Sequence, residues 1–392
     1  MYKIEQVDGG VCAATGFFAD GISAGLKPNN KKDMAFIYAD TLCDIASTFT
    51  TNKMAAAPIK HFKAKGEFKT NFVLINSKNA NAMTGIAGLK DIEEVLSHLP
   101  SQANNPVMSS TGVIGVRLPK EKLIAGLAKF DLSQKNPTAA AQAIMTTDSF
   151  KKEIAFKVTL NDGTFFHIGA MAKGAGMINP AMATMLCFIT TDADISSLKM
   201  QKILDDTVMT TFNAASVDGD TSTNDTVMLL SNSKSGAFDE SAFEDALYQV
   251  MEFLAKQMVK DGEGATKLVT YKVTGAKSDD EAEVVAKALS NSLLVKTALY
   301  GEDPNWGRIA STVGASGAYA KEETLTISFD DICVYEKGNL YFNAELEPKA
   351  AAIMKKDEFT IYCDLGLGNG TFTAFGCDLG YEYVKINADY RT

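Results

Sequence analysis

Histidine is scarce in this 392-residue chain: there are three, His61, His98 and His167. A multi-histidine metal site or a histidine-based nucleophile triad has few candidates to draw on. None of the six cysteines, at 12, 43, 187, 333, 363 and 377, forms a CxxC pair, so zinc-site spacing is missing. A chain this long buries a core without disulfide staples, and reduced thiols in a cytoplasmic protein are the expectation. No apolar run approaches the ~20 residues that span a bilayer. The first eight residues lack the basic and apolar regions of a signal peptide. The 38 Lys and Arg are outnumbered by 48 Asp and Glu, a net charge of −10. That balance makes a poor general binder of nucleic acid or of an anionic membrane.

Strand-like and helix-like segments alternate throughout, with Gly-rich turns between them. Ile92, Val95, Leu96 and Leu99 share a helix face that stops at Pro100. Ile154, Phe156, Val158 and Leu160 alternate as in a half-buried strand, and Asn161-Asp162-Gly163 turns it into 164–170. Ser241 with Glu244 reads as a capping box for a helix that ends at Gly262, and Ser278 with Glu281 as another. The last ~70 residues read mostly as strands: Leu325–Phe329, Asn339–Asn343, Glu358–Cys363 and Thr371–Cys377. Gly366–Gly370 reads as a hairpin turn between two of them. The mixture predicts an α/β or α+β protein with largely antiparallel sheets.

One segment departs from any periodic pattern, Lys173-Gly174-Ala175-Gly176-Met177-Ile178-Asn179-Pro180-Ala181-Met182-Ala183-Thr184. Behind it Met185–Ile189 reads as an apolar strand. A hydroxyl at the head of a strand, behind small residues, becomes a nucleophile if the chain is cut before it. The freed α-amine then reaches its own Oγ. Such an amine titrates near ~7.7–8.0, against ~10.4 for lysine, and serves as a general base without histidine. Spacing alone favours the blander reading, a Gly-rich loop leading into a core strand. Ser109-Ser110-Thr111-Gly112 offers backbone N–H groups to a developing oxyanion, where one donor is worth about 2.7–4 kcal/mol in known enzymes. The plainer reading is a strand-to-helix turn. Asn76–Ala82 is dense in amides and suits a polar pocket or simply turns. Asp218–Asp225 looks like a calcium loop but has Leu229 where the twelfth-position glutamate belongs.

In order along the chain, these segments resemble the glutamate N-acetyltransferase (ornithine acetyltransferase) family of arginine biosynthesis. The resemblance runs almost end to end. It takes in Gly16-Phe17, Gly25-Leu26-Lys27, Phe49-Thr50-Thr51-Asn52, Ala56-Ala57-Pro58, Asn79–Ala82, Ser110–Gly115 and Met145-Thr146-Thr147-Asp148. It continues through Lys173–Met177, Ala183–Leu186, Asp218–Asp225, Asp261–Lys267 and Asp303-Pro304-Asn305-Trp306-Gly307-Arg308 to Asn387–Thr392. Lys78 stands where the family has glycine and Met83 where it often has cysteine. Whether the turn at 78 keeps a glycine's backbone geometry is thus a question for the structure.

The resemblance implies an α/β (α+β) fold, a self-cleaving N-terminal-nucleophile-like sandwich of sheets flanked by helices, with a C-terminal α+β subdomain at 276–392. It implies a cut between Ala183 and Thr184, giving chains 1–183 and 184–392 that stay associated and pair as α2β2. It implies Thr184 as nucleophile and Thr111 and Gly112 as the oxyanion hole. Thr147, Lys173, Thr184, Glu263, Asn387 and Thr392 are the implied substrate contacts. The implied reaction is ping-pong: acetyl moves from N2-acetylornithine to Thr184, then to glutamate, in the cytoplasm and with no metal or cofactor. Some members also take acetyl-CoA as a donor substrate, and no residue here decides that point. An aminopeptidase or amidohydrolase of the same architecture, with water as acceptor, is the alternative. A non-catalytic binding protein of the same fold is another.

Overall fold

Period-two alternation sets the first sheet. The computed structural model describes residues 2–179 and 185–389. Its strands, in chain order, are β1 Lys3–Gln6, β2 Phe17–Ile22, β3 Met34–Phe49, β4 Thr70–Asn76, β5 Val107–Ser110, β6 Lys152–Thr159, β7 Phe165–Lys173, β8 Leu186–Thr191, β9 Ala215–Ser216, β10 Thr226–Ser231, β11 Leu268–Ala276, β12 Thr326–Phe329, β13 Ile332–Glu336, β14 Asn339–Leu340, β15 Glu358–Asp364 and β16 Gly370–Cys377. Ile154, Phe156 and Val158 bury one face of β6, as the pleat requires. The Asp162 carboxylate accepts from Thr164 N and Oγ1 and shapes the turn into antiparallel β7.

The first sheet runs β1-β6-β7-β8-β10-β3-β4-β5, with β2 also on β3. Only β8–β10 and β4–β5 are parallel within it. The long β3 serves twice. Its first half pairs with β2 and β4, its second with β10, and the register breaks between Tyr38 and Cys43. One strand thereby joins the edge ending at Asn76 and Ser110 to the centre that carries β8 and β10. The second sheet runs β14-β13-β12-β15-β11-β16-β9 and has its own core around Tyr271, Val273, Leu289, Ile327 and Ile361.

Helices fill the layer between the sheets and cover their outer faces. Leu204 and Val208 of Ser197–Thr210, with Leu247, Val250, Leu254 and Met258 of Glu240–Lys260, share one core. The same core includes Phe166, Ile168 and Ile189 of the first sheet and Leu268, Phe375 and Cys377 of the second. Each such large side chain contributes about 1.5–3 kcal/mol on full burial, so these helices fasten the two sheets together. The helix Pro137–Ile144 covers the other face, with Ala140, Ala141 and Ile144 against Met171, Phe188 and Leu230. The protein is thus an α/β fold of sheets flanked by helices. No described helix is long and apolar enough to cross a membrane.

Some local expectations change. The cap of the helix Glu240–Lys260 is Asp239, whose carboxylate accepts from Ala242 N at 2.9 Å, and Ser241 lies inside the first turn. Ser278 caps as expected, accepting from Glu281 N. The strand expected at 339–343 ends at Leu340. Asn343 instead turns its Oδ1 to Glu345 N and Leu346 N and starts a helix, Leu346–Met354. Another helix, Tyr381–Asp389, buries no residue, so no apolar stripe announced it. Gly366–Gly370 is not a hairpin turn, because β15 and β16 flank β11 and do not pair. The connection crosses the end of β11, where Leu365, Leu367 and Gly368 donate to the carbonyls of Thr274 and Gly275.

Candidate active site

The expected oxyanion segment follows β5 directly. Parallel pairing of β4 and β5 brings Asn76 and Ser110 side by side, and the buried Ser110 Oγ donates to Asn76 Oδ1 at 2.6 Å. Thr111 N donates to Asn76 O, and Thr111 is buried. Gly112 adopts φ +133° with its Cα pressed on the backbone of Lys78 and Asn79. A side chain there would be both strained and without space. Lys78 takes φ +73°, so the turn keeps the left-handed geometry of a glycine despite the substitution. The neighbouring amides are occupied by structure. Asn76 donates to Asn79 O, Asn79 to Val116 O and Arg117 O, and Asn81 to Gly88 O. Of the two readings of this stretch, it is a scaffold of turns.

A buried ionic network forms another part. Lys152 lies on the inward face of β6 with Ile154 and Phe156 and is 1% exposed. Its ammonium reaches Asp148 Oδ1 at 2.8 Å and Asp261 Oδ2 at 2.5 Å. Each carboxylate in turn holds backbone. Asp148 accepts from Thr146 N and Gly174 N, and Asp261 accepts from Ser149 N. Three expected site segments thus converge, around Thr147, Lys173 and Glu263. Burial raises the Asp148 carboxyl, but Lys173 and Lys152 outweigh it and hold it well below the usual range. Burial lowers the Lys173 ammonium, and Asp148 works against that shift. Burial pushes Asp261 up, against the pull of Lys152.

Glu263 and Asn387 meet. Asn387 Nδ2 donates to Glu263 Oε2 at 2.8 Å, and Glu263 N donates to Ala175 O at 2.7 Å. The Glu263 carboxylate lies on Gly176, where a methyl group would stand 2.5 Å from its Cδ. Thr147 is half-buried beside Asp148. Ala183, Thr184 and Thr392 lie outside the described residues.

Asn224 and Asp225 connect the parts. Asn224 Nδ2 donates to Ser110 O and Ala80 O, both at 2.7 Å. The next residue, Asp225, accepts from Met185 N at 2.9 Å. Two consecutive residues therefore bind the oxyanion segment and the amide that follows Thr184 in sequence. Sequence reasoning did not single out Asn224, Asp225, Lys152 or Asp261 as working residues. A lysine in register with inward apolar residues on β6 was the readable signal for Lys152. Lys27 was quoted only as part of a motif. Its ammonium donates to Lys32 O and Ala143 O, and burial brings it down to about 8. His98 Nδ1 faces Glu94 O and His167 Nδ1 faces Asp192, so both serve local structure. Among the described residues no group of His, Cys, Asp and Glu side chains is arranged to hold a metal ion.

Backbone donors after a strand, a buried lysine and a carboxylate held by an amide are equipment for acyl transfer to an amino-acid-like substrate. Comparison with known proteins agrees. The model of the ArgJ family matches residues 18–392. The chain is 60% identical to the arginine biosynthesis bifunctional protein ArgJ of Wolinella succinogenes, over 100% of both chains. It is 42% identical to the protein of the same name from Caldanaerobacter subterraneus, over 99% of this chain and 100% of that one. A crystal structure of ArgJ from Bacillus halodurans is 43% identical, with a TM-score of 0.48, and covers 51% of this chain and 97% of its own. The chain belongs to the ArgJ family. It is an acyltransferase of arginine biosynthesis.

Proposed function

We propose that this chain cuts itself between Ala183 and Thr184 and then moves acetyl groups from N2-acetylornithine to glutamate through an acetyl-Thr184 intermediate. In the cut, Thr184 Oγ attacks the carbonyl carbon of Ala183. The C–N bond breaks, the hydroxyl proton passes to the departing nitrogen, and an ester links the two parts. Water opens the ester, leaving a carboxyl on Ala183 and a free hydroxyl and amine on Thr184. In turnover that amine takes the Oγ proton as Oγ attacks the acetyl carbon. Thr111 and Gly112 stabilise the developing oxyanion, Thr111 through its hydroxyl because its N–H is given to Asn76 O, and Gly112 through its N–H. Ornithine leaves with the proton, and the glutamate amine attacks the acetyl-enzyme.

One observation carries this reading. Asn224 and Asp225 bind the oxyanion segment at Ser110 O and the Met185 amide, one residue from Thr184. Lys173 supplies a cation for the α-carboxylate that donor and acceptor share. Glu263, steadied by Asn387, faces the side-chain ammonium of ornithine, with Thr147 and Thr392 completing the contacts. The chains 1–183 and 184–392 stay associated as α2β2, with 276–392 as a C-terminal subdomain, in the cytoplasm and without a cofactor. Acetyl-CoA as a second donor fits the bifunctional names of the relatives, and a CoA-dependent assay decides it. The test of the main reading is transfer of labelled acetyl from N2-acetylornithine to glutamate or to water. Transfer to glutamate by wild type, and an uncut, inactive Thr184→Ala chain, are expected. Hydrolysis alone, or a cut Thr184→Ala chain, overturns it.

A further inference from the structure

The motif Asp218–Asp225 supplies no group to the reacting atoms in the reaction above, yet both of its end carboxylates accept from backbone donors, with Asp225 fully buried and Asp218 half-buried. Asp218 accepts from Met177 N at 2.7 Å and from Ile178 N at 2.8 Å. The carbonyl of Ile178 accepts from Val217 N at 2.9 Å and from Gly219 N at 3.2 Å. Asp225 accepts from Met185 N at 2.9 Å, and the carbonyl of Met185 accepts from Thr226 N at 3.0 Å. Ile178 and Met185 are thus held in the same way. Each gives its N–H to an aspartate carboxylate and its carbonyl to the backbone beside that aspartate. Between them in sequence stand residues 179–184, which include Ala183 and Thr184.

We propose that the loop Asp218–Asp225 is a jig for self-cleavage, Asp218 fixing the chain before the cut and Asp225 fixing it after, both as positioning residues. The inference rests on the self-cleavage reading. Two fixed ends remove much of the freedom of the residues between them, so less ordering remains before Oγ meets its carbonyl. The jig is itself fastened. Thr50 N donates to Asp225 O, Thr50 Oγ1 to Ser222 O, Asn52 Nδ2 to Thr221 O, and Ala56 N to Thr223 O. The motifs Phe49–Asn52 and Ala56–Pro58 gain a purpose in this way. Tyr383 OH adds a bond to Asp218 Oδ2 at 3.2 Å from the helix that carries Asn387. Asp225 Oδ2 is fully buried and has no hydrogen-bond partner among the described residues, a costly arrangement for a residue that only closes a turn. Burial pushes both carboxyls up. After the cut the same bonds still hold Ile178 on one side and Met185 on the other.

The experiment follows the fraction of cut chain over time for purified wild type, Asp225→Leu, Asp225→Asn and Asp218→Asn, with mass spectrometry for the cut position and thermal unfolding for folding. Asp225→Leu should slow the cut at least tenfold. Asp225→Asn keeps an oxygen for Met185 N and should restore the rate to within threefold of wild type. Asp218→Asn keeps one of two accepting oxygens and should slow the cut about threefold or more. A folded Asp225→Leu that cuts at the wild-type rate overturns the proposal, as does an Asp225→Asn as slow as Asp225→Leu. If Asp225→Leu does not fold, Asp218→Asn decides, and an unslowed cut overturns it. A wild-type chain that stays whole overturns the self-cleavage reading itself. A cut wild type with unslowed variants overturns only the jig.

Discussion

Two supports meet at the candidate site and are built from opposite chemistry. The oxyanion side, Asn76–Ala82 with Ser110–Gly112, is held by neutral amides and hydroxyls that bond backbone. The substrate side, around Thr147, Lys173 and Glu263, is held by buried charges on Asp148, Lys152 and Asp261. Neutral amides fix geometry without adding a field that would compete with a developing oxyanion. On the proposed reading the ionic side has the opposite task, because ornithine and glutamate are themselves charged. The buried Lys152–Asp148–Asp261 network holds the backbone at Gly174 and Ser149, and its Asp148 faces the charge of Lys173. The cost is sensitivity: removing one member of a buried pair leaves the rest uncompensated.

The comparison can be broken at its strongest point first. Lys152→Met should destabilise the fold by about 3–5 kcal/mol, the usual cost of stranding a buried charge, which thermal or denaturant unfolding measures. On the amide side, Asn224→Ala leaves two buried carbonyls without their donor. It should cost about 1–3 kcal/mol and reduce kcat more than it raises KM. Near-normal stability of Lys152→Met beside collapse of Asn224→Ala would reverse the comparison.

The smallest effect is one of pH. The Asp148 carboxyl is held low in the fold, so its contribution is present above the unfolded value of ~3.9 and is lost as pH falls toward the folded one. The Asp225 carboxyl is raised, so it costs stability as pH rises from the unfolded value through the folded one. Asp225→Asn should therefore be more stable than wild type at pH 7, by roughly 2–4 °C in Tm per kcal/mol recovered, and the gain should vanish near pH 4. Unfolding midpoints across that range check the sign.

Much of this arrangement was legible in the sequence where a rule is local. The alternation of β6, the Asn161-Asp162-Gly163 turn and the Ser278 cap each follow from a few neighbouring residues. Non-local pairing was not legible. Gly366–Gly370 has the composition of a hairpin turn, and only the insertion of β11 between β15 and β16 shows otherwise. The helix Tyr381–Asp389 lacks an apolar face because it docks by polar contacts, such as Tyr383 to Asp218 and Asn387 to Glu263. Lys173, Glu263 and Asn387 entered through a resemblance, and no spacing rule points to them. Lys152 is signalled by its inward register on β6, but its bonds to Asp148 and Asp261, and that of Asp225 to the Met185 amide, are visible only when the fold brings these segments side by side.

The central claim is a Thr184 nucleophile that carries an acetyl group. Intact-mass spectrometry tests it most directly on protein mixed with N2-acetylornithine and quenched in acid, with and without glutamate. The account requires two chains, one beginning at Thr184 and bearing a single acetyl group that disappears when glutamate is present. One uncut chain, or an acetyl group absent from the chain that begins at Thr184, contradicts it.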